Sequence, residues 1–318
     1  MCELDGNLTI SEVEIEACED NNEIEEQASQ GIPRASYGGI LKNAPGCSTL
    51  TANALSQQLI YEVNLLVPDV LVSFDELNVR LYEAVYPFVQ LNAKQALAKA
   101  IAARGRTMVV NSAYRTLVQQ FLLYKWKNYR PSCRYHIVAP PGSSNHQGGL
   151  AIDIQDHLGW KPYLERYGWD WFGPGDKPHF TYRGGGTKEI RSSAVKAFQR
   201  LWNKNHPNDK IAEDGMYGGQ TSSRLDQSPA HGFKIAPWDE KPRLLRLSHP
   251  LMEGSDVRQL QQALQKSGFE LRADGVYGKN TINLVKQFQE QQELVVDGIT
   301  GAKTREKLFA TPEVDSGE

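Results

Sequence analysis

Apolar and polar positions alternate along this chain in two rhythms. The segment Ala93 to Arg104 (AKQALAKAIAAR) is rich in Ala and Lys and sets Leu97 and Ile101 four apart, which predicts a helix stopped by Gly105. Thr107 to Val110 is β-branched and predicts a short strand. From Thr116 to about Asn128 the helical period returns, with Leu117, Phe121 and Tyr124 on one face. Leu150 to Ile154 alternates strictly, so Ala151 and Asp153 should face away from Ile152 and Ile154. Together these elements predict a mixed α+β domain, from roughly Ser36 to Tyr182.

A linker-like break, Arg183-Gly-Gly-Gly-Thr187, is followed by internal repetition. The string Asp-Gly-x-x-Gly-x-x-Thr occurs three times, beginning at Asp214, Asp274 and Asp297. Helical patterns at Ala194–Asn205, Val257–Lys266 and Thr281–Gln291 surround the strings. The physical reading is a tight glycine turn followed by Thr221, Thr281 and Thr304 as helix N-caps. These are small all-α modules, too short to hold a large active site.

Composition narrows the function. A chain of 318 residues implies two or three domains, and a formal net charge of −3 gives no electrostatic reason to expect nucleic acid or an anionic membrane as partner. No apolar run approaches the roughly 20 residues of a membrane span, and the N-terminus shows no pattern of a secretory signal. Residues 1–35 read as an acidic, loosely attached arm, with no Lys or Arg from Met1 to Gly31. The expected organisation is then 36–186 as catalytic domain, 187–240 as a first, degenerate module, 241–312 as a second module and 313–318 as a tail. Cys2, Cys18, Cys47 and Cys133 have no C-x-x-C spacing, which argues against a zinc finger or dithiol motif and leaves any disulfide pairing open. Cys133 and His136 are close in sequence, but that closeness is poor evidence for a nucleophile and base.

Three segments carry candidate chemistry: Asn111-Ser112-Ala113-Tyr114-Arg115, the run from Ser144 to Asp153 (SNHQGGLAID), and Gly175-Asp176-Lys177-Pro178-His179. A catalytic zinc takes three protein ligands from His and carboxylate groups and keeps a fourth position for water. His146, Asp153 and His179 can supply such a set, with Gly148 and Gly149 letting the chain turn between the first two. A nearby carboxylate must take a proton from the attacking water. Asp176 is best placed, ahead of Asp170 and Glu165. Arg115, at a strand-to-helix junction, can steady the oxyanion with a charge present at any working pH. Trp160, Trp169 and Trp171, with Tyr163 and Tyr167, could stack on sugars or form core and cleft wall.

The S-x-H-x6-D string, the D-x-x-H pair and the S-x-Y-R segment together resemble the zinc D-Ala-D-Ala carboxypeptidase family. That family includes vancomycin-resistance D,D-peptidases and some phage endolysins. The resemblance covers about Val67 to Tyr182. It implies that His146, Asp153 and His179 bind Zn2+, that Asp176 is the catalytic base and that Arg115 supports the substrate carbonyl or oxyanion. Ser144 of the S-x-H string is implied as a substrate contact, and Ser112 and Tyr114 of the S-x-Y-R segment are taken with it. The C-terminal repeats resemble the helical peptidoglycan-binding module.

The implied function is a zinc metallopeptidase acting at the bacterial cell wall on peptidoglycan stem peptides, with wall glycan as a further partner. D-Ala-D-Ala carboxypeptidase activity is the first expectation and an endolysin-like endopeptidase the alternative. A non-catalytic zinc-containing wall-binding or recognition protein, as in the signalling domain of hedgehog proteins, is the reading of another class. Asp176 weighs against it, because a structural metal needs no spare carboxylate.

Overall fold

In the computed structural model, residues 36–133, 135 and 137–310 are described. The acidic arm, the C-terminal tail, Cys2, Cys18 and His136 lie outside them.

The first region is built on a five-stranded sheet. Its strands are β2 (Val79–Leu81), β4 (Met108–Ser112), β5 (Ala151–Ile154), β6 (Trp169–Trp171) and β7 (His179–Tyr182), in the order β2-β4-β5-β7-β6. Only the edge pair β2–β4 is parallel; the other pairs are antiparallel. A separate two-stranded sheet pairs β1 (Leu71–Ser73) with β3 (Phe88–Gln90). The predicted helices are present as α2 (Leu91–Arg104) and α3 (Leu117–Tyr129), and α4 (His157–Arg166) follows β5. Gly105 closes α2 in the left-handed conformation, φ 67°. Thr116 and Gln119 form a reciprocal capping box at the start of α3.

Strand alternation sorts the sheet into two faces. Met108, Val110, Ile152, Ile154 and Phe180 pack against Leu97 and Ile101 of α2 and Trp160 and Leu164 of α4. Trp160 and Trp169 are buried in this core, and Tyr163, Tyr167 and Trp171 pack against it. The opposite face carries Asp153 and His179, which are direct cross-strand partners. A bulge between Val110 and Ser112 changes the phase of β4, so Val110 stays opposite Ile154 while Ser112 comes opposite Asp153.

A second core crosses position 187. Helix α1 (Asn53–Leu66) contributes Leu55 and Leu59, and α3 contributes Phe121 and Trp126. They pack with Phe198, Leu201 and Trp202 of α5 (Arg191–Asn205) and Leu225 of α6 (Gly219–Gln227). The region expected as a first module therefore shares its apolar interior with residues 41–138. Cys47 and Cys133 form a disulfide in the same neighbourhood, which removes Cys133 as a nucleophile.

Helices α7 (Ser255–Lys266), α8 (Lys279–Gln291) and α9 (Ala302–Phe309) enclose a core of their own, around Leu260, Leu264, Tyr277, Val285, Phe288 and Leu308. This bundle meets α1 through a polar seam. Glu253 accepts hydrogen bonds from Ser36 and Asn53, and Arg243 donates to Gln57 and pairs with Asp256 at 2.9 Å.

The three Asp-Gly strings fold alike, but the threonines are not the N-caps. Gly218, Gly278 and Gly301 occupy those positions in extended backbone. Each Thr lies inside the first turn and accepts, at 3.2 Å, a hydrogen bond from a buried glutamine of the preceding helix: Gln199, Gln261 or Gln289. The same glutamine donates to the Asp carboxylate at 2.9 Å and accepts from the following Gly N–H at 2.7–2.8 Å. These glycines have φ of 71–79°, which a side chain would strain.

Candidate metal centre

The sheet brings most of the centre together. Ser112, Asp153 and His179 stand in one row across β4, β5 and β7, on the face turned away from α2 and α4. His146 arrives from the loop before β5. Its Nδ1 lies 2.7 Å from the carbonyl of Ala113, which can only accept, so the ring carries its proton there and turns Nε2 inward as a lone pair. The Arg115 N–H donates to the His146 carbonyl at 3.2 Å, tying this loop to the end of β4.

The glycine turn behind His146 is fixed by Gln90. Its side chain donates to the Gly148 carbonyl at 2.7 Å, and its N–H donates to the Gly149 carbonyl at 2.9 Å. Gly149 has φ +65°, and a Cβ there would lie 2.6 Å from Leu71 Cδ2. Glycine is required at this position both by its dihedral and by the space available.

Three donor atoms converge. His146 Nε2 is 3.3 Å from Asp153 Oδ1 and 3.2 Å from His179 Nδ1, and His179 Nδ1 is 2.9 Å from Asp153 Oδ1. A tetrahedral ion with bonds of about 2.0 Å holds its ligand atoms about 3.3 Å apart, close to this triangle. The far nitrogen of His179, Nε2, lies 3.0 Å from Thr181 Oγ1, which gives its proton a place away from the centre. Asn145 donates to the same hydroxyl at 3.3 Å. With the proton there, two imidazole lone pairs and a carboxylate oxygen face one point, an arrangement that repels itself without a cation. The donor set therefore fits a borderline-soft divalent ion with nitrogen and oxygen ligands. Among the described residues this is the cluster able to hold one.

Electrostatics prepare these groups for binding. Burial, with Arg115 nearby, lowers His146 to about 4, so the ring is neutral near pH 7. Burial works against the charge on Asp153, but His146 when protonated, and the Arg115 guanidinium at every pH, hold its carboxyl well below the usual aspartate range. Arg115 Nη2 pairs with Asp153 Oδ2, and Arg115 Nε donates to Ser112 Oγ at 2.8 Å. Arg115 thus grips a ligand of the centre, while its Nη1 makes no hydrogen bond to the described residues.

Asp176 sits at the end of the Pro174–Asp176 turn, three residues before His179, the first residue of β7. Burial and the neighbouring Asp153 charge raise its carboxyl above the usual aspartate range, against the pull of His179 and Arg115. The competing carboxylates are elsewhere. Glu165 pairs with Lys161 and Asp170 with Arg183, both on the exposed surface.

Two expected substrate contacts have partners inside the site. Ser144 is buried and its Oγ accepts from His146 N–H at 3.3 Å, and Ser112 accepts from Arg115. Tyr114 is a correction. A β-bridge to Tyr86 turns it into the core beside Val63, Ile190 and Ala194, and at 1% exposure it cannot reach a substrate. Sequence reasoning missed Ala113, Thr181, Asn145 and Gln90, which carry no signal beyond their neighbourhood.

Residues 89–166 match the family model described as D-alanyl-D-alanine carboxypeptidase. The resemblance read from the motifs is borne out. That match contains Arg115, His146 and Asp153, while Asp176 and His179 lie beyond it. Residues 253–308 match a family model for peptidoglycan binding domains, the helical bundle α7–α9. Similar curated proteins include the N-acetylmuramoyl-L-alanine amidase CwlL of Bacillus licheniformis, 34% identical over 36% of this chain and 34% of that protein. A probable N-acetylmuramoyl-L-alanine amidase of the same organism is 35% identical over 31% of this chain and 30% of its own length. A spore cortex-lytic enzyme of Bacillus subtilis (strain 168) is 47% identical over 18% of this chain and 19% of its own. The chain spans about a third of the length of the two amidases it matches. No helix among the described residues is long and apolar enough to cross a membrane.

Proposed function

We propose that this protein is a zinc-dependent peptidase of the bacterial cell wall that removes the terminal D-alanine from peptidoglycan stem peptides. The observation that carries the reading is the convergence of His146 Nε2, Asp153 Oδ1 and His179 Nδ1 beside a carboxylate, Asp176, that is not needed as a ligand. The family matches at 89–166 and 253–308 support the substrate and the site of action.

His146, Asp153 and His179 would hold the zinc, which when bound supplies a Lewis acid for activating water and polarising the scissile carbonyl. Ala113 and Thr181 fix the two rings with their lone pairs inward. Asp176, raised toward neutrality, accepts the proton of the attacking water and returns it to the leaving amine. Arg115 orients Asp153 through Nη2 and keeps Nη1 for the substrate carbonyl as it gains charge. No covalent intermediate is required. The α7–α9 bundle would hold the protein on wall glycan or stem peptide.

Mass spectrometry of muropeptides digested with zinc-loaded protein tests this. Release of free D-alanine is the expected result. Cleaved cross-links or stems without free D-alanine would replace carboxypeptidase with endopeptidase, and no cleavage at all would contradict the enzyme reading.

A further inference from the structure

Phe172 and Ile137 are 57% and 50% exposed, large apolar side chains left open beside a polar centre. Phe172 stands edge-on to His179, with ring centroids 5.8 Å apart and planes at 87°. Both side chains flank the turn that ends in Asp176. A Cβ on Gly175 would lie 3.6 Å from Phe172 Cε1 and 3.9 Å from Ile137 Cδ1. Gly175 immediately precedes Asp176, so these apolar side chains stand beside the turn that bears the carboxylate assigned to protonate the leaving amine.

We propose that Phe172 and Ile137 receive the side chain of the residue released by cleavage and select a small, uncharged side chain there. The inference rests on the peptidase reading and on Asp176 as the group that returns the proton. An exposed aromatic and a branched aliphatic side chain that a methyl built on Gly175 would just touch leave methyl-sized apolar space above the glycine. A carboxylate or ammonium entering it would lose hydration with no partner in the wall. Gly175 has ordinary backbone dihedrals, so the floor of this space can be raised by one methyl without strain.

The test uses full-length, zinc-loaded protein and acyl-D-Ala-D-X peptides in which X is glycine, alanine or glutamate. Wild type is expected to prefer alanine over glutamate in kcat/KM by at least roughly tenfold. Phe172→Ala and Ile137→Ala should each shrink that preference several-fold while retaining one zinc per chain. Gly175→Ala should lower turnover of the alanine peptide more than that of the glycine peptide. Should Phe172→Ala lose zinc through its contact with His179, the Ile137 and Gly175 variants decide. An alanine-to-glutamate ratio unchanged in Ile137→Ala, with no selective loss in Gly175→Ala, overturns the proposal. If wild type cleaves none of the peptides, the peptidase reading fails, and the wall is judged by calorimetric binding of the same series. Equal affinity for alanine and glutamate peptides then overturns it.

Discussion

Asp176 and Asp153 lie close together, yet their environments push them in opposite directions, and this separates their roles. Asp153 is held ionised by the Arg115 guanidinium and suits a ligand, whereas burial and the Asp153 charge raise Asp176 toward a form that can exchange protons. Asp176→Asn should therefore keep zinc, measured by elemental analysis, while small-peptide turnover falls at least about 100-fold. Arg115→Met should weaken zinc binding by roughly 10- to 100-fold in a chelator competition, because Asp153 loses the group that orients it. For the metal-free protein the sign of the pH effect follows from His146. Its folded value of about 4 lies below the 6.5 of an unperturbed ring, so the unfolded chain binds the extra proton between those two values. Stability should rise with pH across that window, by on the order of 3 kcal/mol, in chemical denaturation followed from pH 4 to 7. Asp153 adds to the loss at lower pH, whereas the raised Asp176 works in the opposite direction as pH increases through its folded value.

At the scale of elements, the glutamine clamps are the clearest consequence of the structure. Gln261 is buried and makes contacts to Asp274, Gly275, Val276 and Thr281, so Gln261→Ala leaves several polar groups unpaired. It should destabilise the α7–α9 bundle by about 3 kcal/mol in thermal or denaturant unfolding. The strings themselves were legible because Asp, Gly and Thr keep fixed spacing. The glutamines were not, because they stand 15, 13 and 8 residues ahead of their Asp partners. A similar contrast holds in the sheet. The alternation of β5 showed that Asp153 and Ile152 face opposite ways. Its pairing with His179 depends on a register between distant segments, and the placing of Ser112 depends on a bulge that no local pattern announces. The burial of Tyr114 escapes a local reading for the same reason, since the bridge to Tyr86 that turns it inward joins segments far apart in sequence.

For the whole molecule, the core that crosses residue 187 changes where the chain can be divided. Ending the chain at 187 would uncover Leu55, Leu59, Phe121 and Trp126, and such a protein should be insoluble or unfolded by circular dichroism. Ending it at 240 removes a bundle with its own core and opens mainly a polar seam. That shorter protein should keep zinc and turnover of small peptides while losing most of its co-sedimentation with purified walls. The glycine run Gly184–Gly186 is a poor guide to a domain boundary, because glycines report local backbone freedom and not which side chains meet across them. The measurement that bears most directly on the centre is zinc stoichiometry by elemental mass spectrometry, for wild type and for His146→Ala, Asp153→Ala and His179→Ala. The expected result is one zinc per wild-type chain and a large loss of bound metal in all three folded variants. A wild-type protein that takes up no divalent ion, or variants that bind it as tightly as wild type, would contradict the centre described.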